Sequence, residues 1–295
     1  MGLELPKRAR NLALGVTTGS ALLFLSGCSV DEDSDINRLA MPVPATEEGQ
    51  HIYDLWGWSW LAAIITGVIV WGQIFYVVVK YRRRSETEIP IQTRYNLPIE
   101  IFYTVAPVMM VIVFFFFTID TQDKVLHADP DLATANAEAP VKVTVVGQKW
   151  SWTFNYTKGG TTVTETVWEA GTPDEPPTLW LVEDQPVSID LYSPDVIHSF
   201  WVPNFIFKRD IVPGREFTNH FTLTPNRAGT YVGRCAELCG TYHSRMTFNV
   251  KVVDQASFDA HMQELRDQKN IGPNIPGIED SQIAGLFGLS NGGEE

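Results

Sequence analysis

Two long apolar runs, residues 55–79 and 99–119, constrain this chain before anything else does. Each supplies the ~20 residues that a helix rising ~1.5 Å per residue needs to cross a hydrocarbon core of ~30 Å. A helix suits that setting because its backbone groups bond within one segment. The first run carries no charge and is bounded by Trp56, Trp58, Trp60 and Tyr81, the aromatic residues of a membrane interface. The second holds Glu100 near its start and Pro107 within, the latter tolerated where neighbouring helices accommodate a kink. Lys80, Arg82, Arg83, Arg84 and Arg94 lie between the runs, whereas Asp120 and Asp123 follow the second. By the positive-inside bias the short loop is cytoplasmic, and the segments before the first run and after the second lie outside.

Upstream, Lys7, Arg8 and Arg10 precede an apolar stretch that ends in Leu-Ser-Gly directly before Cys28. That is a secretory signal layout, and its end resembles a bacterial lipobox, with Cys28 acylated as the mature N-terminus; an uncleaved anchor is the plainer alternative. Residues 31–50 are acidic, hold Pro42 and Pro44, and are too poor in large apolar side chains to pack, which predicts a tether.

After an Ala-, Asp- and Pro-rich linker at 129–140 the pattern changes to short alternating runs separated by turn residues. Strands are expected at 141–146, 150–156, 162–168, 179–182, 187–192, 197–202, 216–223, 230–233 and 246–253, which argues for an antiparallel sandwich or barrel. Phe258, Met262 and Leu265 predict one amphipathic helix over 257–268. From Thr121 onward there are 23 Asp plus Glu against 13 Lys plus Arg, within a net charge of -13 for the whole chain. Nucleic acid is a poor partner for such a surface and a basic protein a better one; an acidic face that merely keeps the domain soluble is the bland alternative.

The segment 234–246, RCAELCGTYHSRM, carries the chemistry. It places Cys235, Cys239, His243 and Met246 in one loop, and His198 stands apart in DVIHSFWVP. Thiolate and thioether favour cuprous copper and imidazole supports both copper states, so the mixture points to a redox metal. Two bridging sulfurs fill four coordination positions; His198, His243, Met246 and the Glu237 carbonyl fill four more, enough for two roughly tetrahedral coppers. A disulfide between Cys235 and Cys239, or a Cys2His2 zinc site, is chemically possible outside the cell, but neither requires Met246. A copper chaperone would set its Cys pair near a helix start, in an alternating strand and helix pattern.

These residues resemble the second subunit of cytochrome c oxidase over roughly 56–266, and the resemblance implies an α+β membrane protein: a two-helix transmembrane hairpin followed by a cupredoxin-like antiparallel β-sandwich. It implies a dinuclear copper centre, CuA, held by His198, Cys235, the Glu237 carbonyl, Cys239, His243 and Met246. It also implies a magnesium or manganese ion on the Glu237 carboxylate, shared with subunit I. In GQKWSWTFNY, Trp150 matches the electron entry residue; a core strand tryptophan is the plain alternative. Asp195 matches an acid of the donor docking patch, with Asp190 and Glu165 as weaker matches. Glu100, in NLPIEIFYTVAP, matches the carboxylate at a proton pathway mouth, although a helix-start acid is favoured there by the helix dipole alone. His51, His127, His220 and His261 match no ligand.

The expected divisions are 1–27 signal peptide with lipobox, 28–54 tether, 55–121 membrane hairpin, 122–140 linker, 141–269 copper domain and 270–295 loose tail. The resemblance implies a bacterial plasma-membrane lipoprotein whose copper domain faces outward. Its implied partners are subunit I with haem a, subunit III, a soluble or membrane-tethered cytochrome c donor, and a quinol–cytochrome c reductase supercomplex. A copper-free quinol oxidase subunit would lack Cys235, Cys239 and Met246 together. A copper-delivery factor predicts labile metal, and nitrous oxide reductase carries this motif after a propeller for which the chain has no room.

Overall fold

The structure, a computed structural model, describes residues 38–126, 141–157, 165–214 and 219–278. The chain divides into a unit over Met1–Val43 and a second over Pro44–Glu295, and the architecture below is that of the second. Cys28 and the signal, lipobox and linker assignments at 1–27 and 127–140 lie outside the described residues.

Among the described residues, helix α1 (Glu47–Lys80) and helix α2 (Leu97–Leu126) are the two apolar helices long enough to cross a membrane. Their large side chains, among them Trp58, Phe75, Phe102 and Phe116, are exposed in the isolated chain, as lipid-facing or partner-facing residues must be. The helix α1 begins well before the apolar run because Thr46 caps it, its hydroxyl accepting from the Gly49 N–H at 3.0 Å. This first turn docks on the β-domain: Ala45 N–H donates to Asn204 O at 2.8 Å, Glu47 N–H to Thr224 O at 3.0 Å, and Thr224 N–H to Glu48 Oε2 at 3.0 Å. A Cβ on Gly49 would stand 2.6 Å from Phe205 O, so this close approach admits only glycine. The tether expected to reach residue 54 therefore ends at about Pro44, because a capped helix turn with backbone partners outweighs its polar composition.

Among the described residues ten strands follow: β1 (Lys142–Gln148), β2 (Ser151–Thr157), β3 (Val167–Ala170), β4 (Thr178–Val182), β5 (Val187–Tyr192), β6 (His198–Val202), β7 (Phe207–Ile211), β8 (His220–Leu223), β9 (Gly229–Cys235) and β10 (Thr247–Val253). They form two five-stranded sheets, ordered β3-β2-β1-β5-β8 and β4-β10-β9-β6-β7. Pairing is antiparallel except where β1 meets β5 and β4 meets β10. With the two helices, this sandwich makes the α+β membrane protein expected. Strand β7 was not expected: its FKRDI sequence exposes Lys208 and Asp210, which hides a short strand in a charged run.

Trp152, Phe154, Phe200 and Phe248 fill the space between the sheets, with Trp152 and Phe248 edge-on at 5.1 Å and Phe200 stacked on Phe248 at 5.1 Å. Helix α3 (Gln255–Asp267), capped by Asp254, buries Phe258, Met262 and Leu265 against the sandwich as its periodicity predicts. His261 stacks on Trp180 at 4.2 Å and lies 2.9 Å from Glu169 Oε2, a packing role. The residues from Asn270 were expected to be loose, yet those through Ile278 are held. Ile271 bridges Val167, Asn274 N–H donates to Asn155 Oδ1 at 2.7 Å, and Ile275 is buried. Gly, Pro and Asn composition misled here because these contacts use backbone groups, which any residue carries.

Candidate metal centre

Two neighbouring strands and one loop assemble the site. Strand β6 opens with His198, and β9, antiparallel to it with Phe200 opposite Cys235, ends on Cys235. Cys235 N–H donates to Met246 O at 3.0 Å, which fixes Met246 immediately before β10 rather than inside it, as the expected range 246–253 had it. Between them the chain makes a 3-10 turn over His243–Arg245, closed by His243 N–H to Gly240 O at 3.1 Å and Met246 N–H to His243 O at 3.2 Å. Ala236 N–H donates to Ser199 O at 3.1 Å, tying the loop's start to β6.

The donor atoms form a continuous cluster. Cys235 Sγ stands 3.8 Å from His198 Nδ1, 3.8 Å from Cys239 Sγ and 3.2 Å from Glu237 O. Cys239 Sγ stands 3.6 Å from His243 Nδ1 and 3.7 Å from Met246 Sδ. Metal–sulfur bonds of ~2.3 Å and metal–nitrogen bonds of ~2.0 Å at tetrahedral angles place neighbouring donors roughly 3.5–3.8 Å apart. The observed spacings fit a shared metal shell, and both thiols are free. His198, Cys235 and Cys239 are buried and converge within 4.8 Å, the one such group of His, Cys and carboxylate donors among the described residues. Burying two thiols, an imidazole and a thioether together, with the half-buried His243 beside them, makes sense if a cation is to hold them.

Electrostatics agree. Burial, then the neighbouring Cys235 sulfur, pushes the Cys239 thiol up to about 12, so a bound cation is what would keep that sulfur a thiolate near neutrality. Burial holds the His198 imidazole below its ordinary value, partly offset by Asp195, which favours the neutral form a metal ligand needs. His198 Nε2 faces Asp195 Oδ1 at 2.9 Å, leaving Nδ1 toward the sulfurs. Burial opposes charge on Asp195, but the Lys149 N–H at 2.8 Å, the His198 ring and the Val196 N–H at 2.6 Å outweigh it and hold the carboxyl below the usual range.

Trp150 precedes β2 and lies half-buried against the loop, its indole N–H donating to Cys239 O at 3.1 Å. Tyr242 meets it edge-on at 5.1 Å. Gly240, at φ +121°, makes that approach possible, since a Cβ there would stand 3.1 Å from Trp150 Nε1. Trp152, two residues on, points into the core and donates its indole N–H to Met246 O at 3.3 Å.

The remaining expected site residues separate. Glu237 presents an exposed carboxylate while its carbonyl faces Cys235. Asp195 is not a simple surface acid, because His198 and two backbone amides occupy it. Asp190 is buried in β5 with Lys142 Nζ at 2.6 Å and is corrected from a docking acid to an internal ion pair. Glu165 is exposed, but it lies by Thr157 at the far end of β2 from Trp150, about 20 Å away at ~3.3 Å per residue, so it belongs to another part of the surface. Glu100 Oε1 accepts from the Asn96 N–H at 2.8 Å, a cap on the start of α2. Sequence reasoning overlooked Asp195 as the partner of His198, although an acid three residues before a ligand histidine is a signal for one. It also overlooked Tyr242, Gly240 and Arg245, whose roles depend on loop geometry.

The chain resembles known proteins over most of its length. Residues 141–253 match the family described as cytochrome c oxidase subunit II, periplasmic domain. The chain is 42% identical over 91% of both chains to a protein of Streptomyces coelicolor named probable cytochrome c oxidase subunit 2. It is 32% identical, over 88% of this chain and 85% of the other, to the cytochrome c oxidase subunit 2 of Corynebacterium diphtheriae. The solved periplasmic domain of subunit II of the Bradyrhizobium japonicum cytochrome oxidase covers 45% of this chain and 96% of its own, at 23% identity and a TM-score of 0.39.

Proposed function

The chain belongs to the cytochrome c oxidase subunit II family, and from that premise we propose that it takes single electrons from a c-type cytochrome and delivers them to haem a of subunit I, for oxygen reduction coupled to proton translocation. As a subunit of an oxidoreductase it has two membrane-crossing helices and an extracytoplasmic-type domain. The observation that carries the reading is the donor cluster, with consecutive sulfur and nitrogen atoms 3.6–3.8 Å apart in a buried pocket.

His198, Cys235, Cys239, His243, Met246 and the Glu237 carbonyl would hold two copper ions. A thiolate-bridged copper pair supplies a one-electron store whose charge change is spread over two metals. The protein's part is to hold those donors still. Strands β6 and β9 fix His198 and Cys235, the short turn fixes His243, and the Asp195 carboxylate sets the orientation of the His198 ring. Trp150 is the entry residue, because its half-buried indole touches both the surface and the Cys239 carbonyl. The Glu237 side chain would ligate a magnesium or manganese ion against subunit I, leaving its carbonyl to the copper. Glu100 would open a proton path on the cytoplasmic side in addition to capping α2, and subunit III would complete the membrane partners. Cys28 would carry a lipid anchor on a bacterial plasma membrane, with the donor either soluble or tethered in a supercomplex.

The test is to load the full-length chain with copper in detergent and record its electron spin resonance. One unpaired electron shared equally by two coppers is the expected result; a single-copper spectrum, or no retained copper, overturns the reading.

A further inference from the structure

We propose that Arg245, clamped by Asp174, is a positioning residue for Trp150, holding Tyr242 edge-on against the indole. This rests on the reading of Trp150 as the entry residue and names what keeps it in place.

Arg245 closes the 3-10 turn between His243 and Met246, its N–H donating to Tyr242 O at 2.9 Å. Its guanidinium lies over the Tyr242 ring, 5.4 Å from the centroid, and the other face of the arrangement is set by an ion pair with Asp174. An isolated exposed pair of this kind holds little by itself. Here, however, its acidic member sits on a loop that is itself fixed to strand β2, which begins directly after Trp150. The β3–β4 loop starts at Gly171, whose carbonyl accepts from the Ser151 hydroxyl and whose N–H donates to Trp152 O at 3.4 Å. The loop then folds on itself, Thr172 N–H donating to Glu175 O at 2.9 Å and Glu175 N–H to Thr172 Oγ1 at 3.0 Å. Pro173, Pro176 and Pro177 restrict it further.

The contacts thus close a ring. Trp150 meets Tyr242, Tyr242 lies under Arg245, Arg245 pairs with Asp174, and the Asp174 loop returns to Ser151 and Trp152 beside Trp150. Tyr242 is 43% exposed, so packing alone does not fix its rotamer, and the charged cap over its ring supplies the missing constraint. A planar guanidinium can cover an aromatic face and grip a carboxylate at once, which a lysine ammonium cannot do in the same geometry.

The experiment uses the assembled, copper-loaded oxidase carrying Asp174→Asn, Arg245→Gln, both together, Arg245→Lys, or Trp150→Phe. Each variant is mixed with reduced soluble cytochrome c at increasing concentration, and the saturating first-order rate of electron arrival is separated from the half-saturation concentration. In that step one electron leaves the ferrous haem of the donor, which becomes ferric, and reduces the oxidase. Copper content and spin resonance are recorded in parallel. Asp174→Asn and Arg245→Gln are each expected to lower the saturating rate about three- to tenfold, with the double variant no slower than Arg245→Gln. Arg245→Lys should recover only part of the loss, and copper content and spectrum should be unchanged in Asp174→Asn. Additive effects confined to half-saturation and its salt dependence would make these residues docking charges and overturn the proposal. Loss of copper from Asp174→Asn would overturn it as well. If Trp150→Phe leaves the saturating rate untouched, the entry reading itself falls; if Trp150→Phe slows it and Asp174→Asn does not, only the present inference falls.

Discussion

His198 Nε2 lies 2.9 Å from Asp195 Oδ1, so an acid that sequence reasoning places on a docking face also holds the ring of a histidine in the donor cluster. The two roles make different demands. Docking needs exposed charge, which acts through distance and salt. Ligand orientation needs a fixed hydrogen bond, and here the Lys149 and Val196 amides lock the carboxylate in place.

Asp195→Asn should therefore weaken copper binding by the full-length chain about 10–100-fold, the usual cost of losing a carboxylate behind a ligand histidine. The fold should persist, since Asn can still accept from the Lys149 N–H. Competition against a calibrated copper chelator measures this. Unchanged affinity, with only slower and more salt-sensitive association of the donor, would return Asp195 to a purely electrostatic role.

Gly240→Ala should disturb Trp150 before it disturbs the ligands. A methyl at φ +121° is strained wherever it points, at a cost of about 1–3 kcal/mol. This methyl points at the indole, 3.1 Å from Nε1 and 3.2 Å from Cζ2, so the bond to Cys239 O must lengthen or break. Thermal unfolding should show the lost stability, and electron entry should slow while copper remains at two per chain. A variant with normal entry kinetics would mean that contact between the indole and the loop is dispensable.

Asp190 offers a prediction in pH. Burial raises its carboxyl above the ordinary 3.8, against the lowering influence of Lys142 and then His220. A carboxyl raised in the folded state binds its proton more tightly there than in the unfolded chain. Its stabilising contribution is therefore complete below 3.8 and is lost as pH rises through the raised folded value. Asp190→Asn carries no such loss. The unfolding temperature of the variant should gain on that of the original protein as pH goes from about 4 to 7. A constant difference across that range would mean that Lys142, 2.6 Å away, fully compensates the buried charge.

What the sequence made legible follows the physics of each feature. Residues 55–79 and 99–119 announced long apolar helices because length and near-absence of charge show in the sequence itself. The clustering of Cys235, Cys239, His243 and Met246 was legible because they crowd one short segment, and sulfur with imidazole is a donor mixture suited to a redox metal. Strand β7 was missed because Lys208 and Asp210 break its apolar signal, and Asp190 was placed on a docking face because charge does not reveal burial. Whether Asp190 faces Lys142 or a partner depends on cross-strand register, which nothing local in the sequence states.

The stretch beyond helix α3 gives a last test, because composition and structure disagree there. Gly272, Pro273, Pro276 and Gly277 read as a loose end. In the structure this stretch crosses the outer face of the β3-β2-β1-β5-β8 sheet, with Gly272 N–H on Thr166 O at 2.8 Å, Asn274 joined to Asn155 in both directions, and the Tyr192 hydroxyl on Pro276 O at 3.2 Å. Asn155 has no exposed surface, and its amide spends one donor contact and its one acceptor contact on Asn274. Ending the chain after Lys269 removes those partners together with the buried Ile275 side chain. Burial of one isoleucine is worth about 1.5–3 kcal/mol and each net hydrogen bond about 1 kcal/mol, a gross contribution that the entropy of ordering the segment partly offsets, so a clearly lower unfolding midpoint is expected. Ending it after Ile278 keeps every one of those contacts and should leave the unfolding midpoint in place. Equal stability of the two truncated chains would make the segment the loose tail its composition suggests; a deficit in the shorter chain alone would make it part of the sandwich.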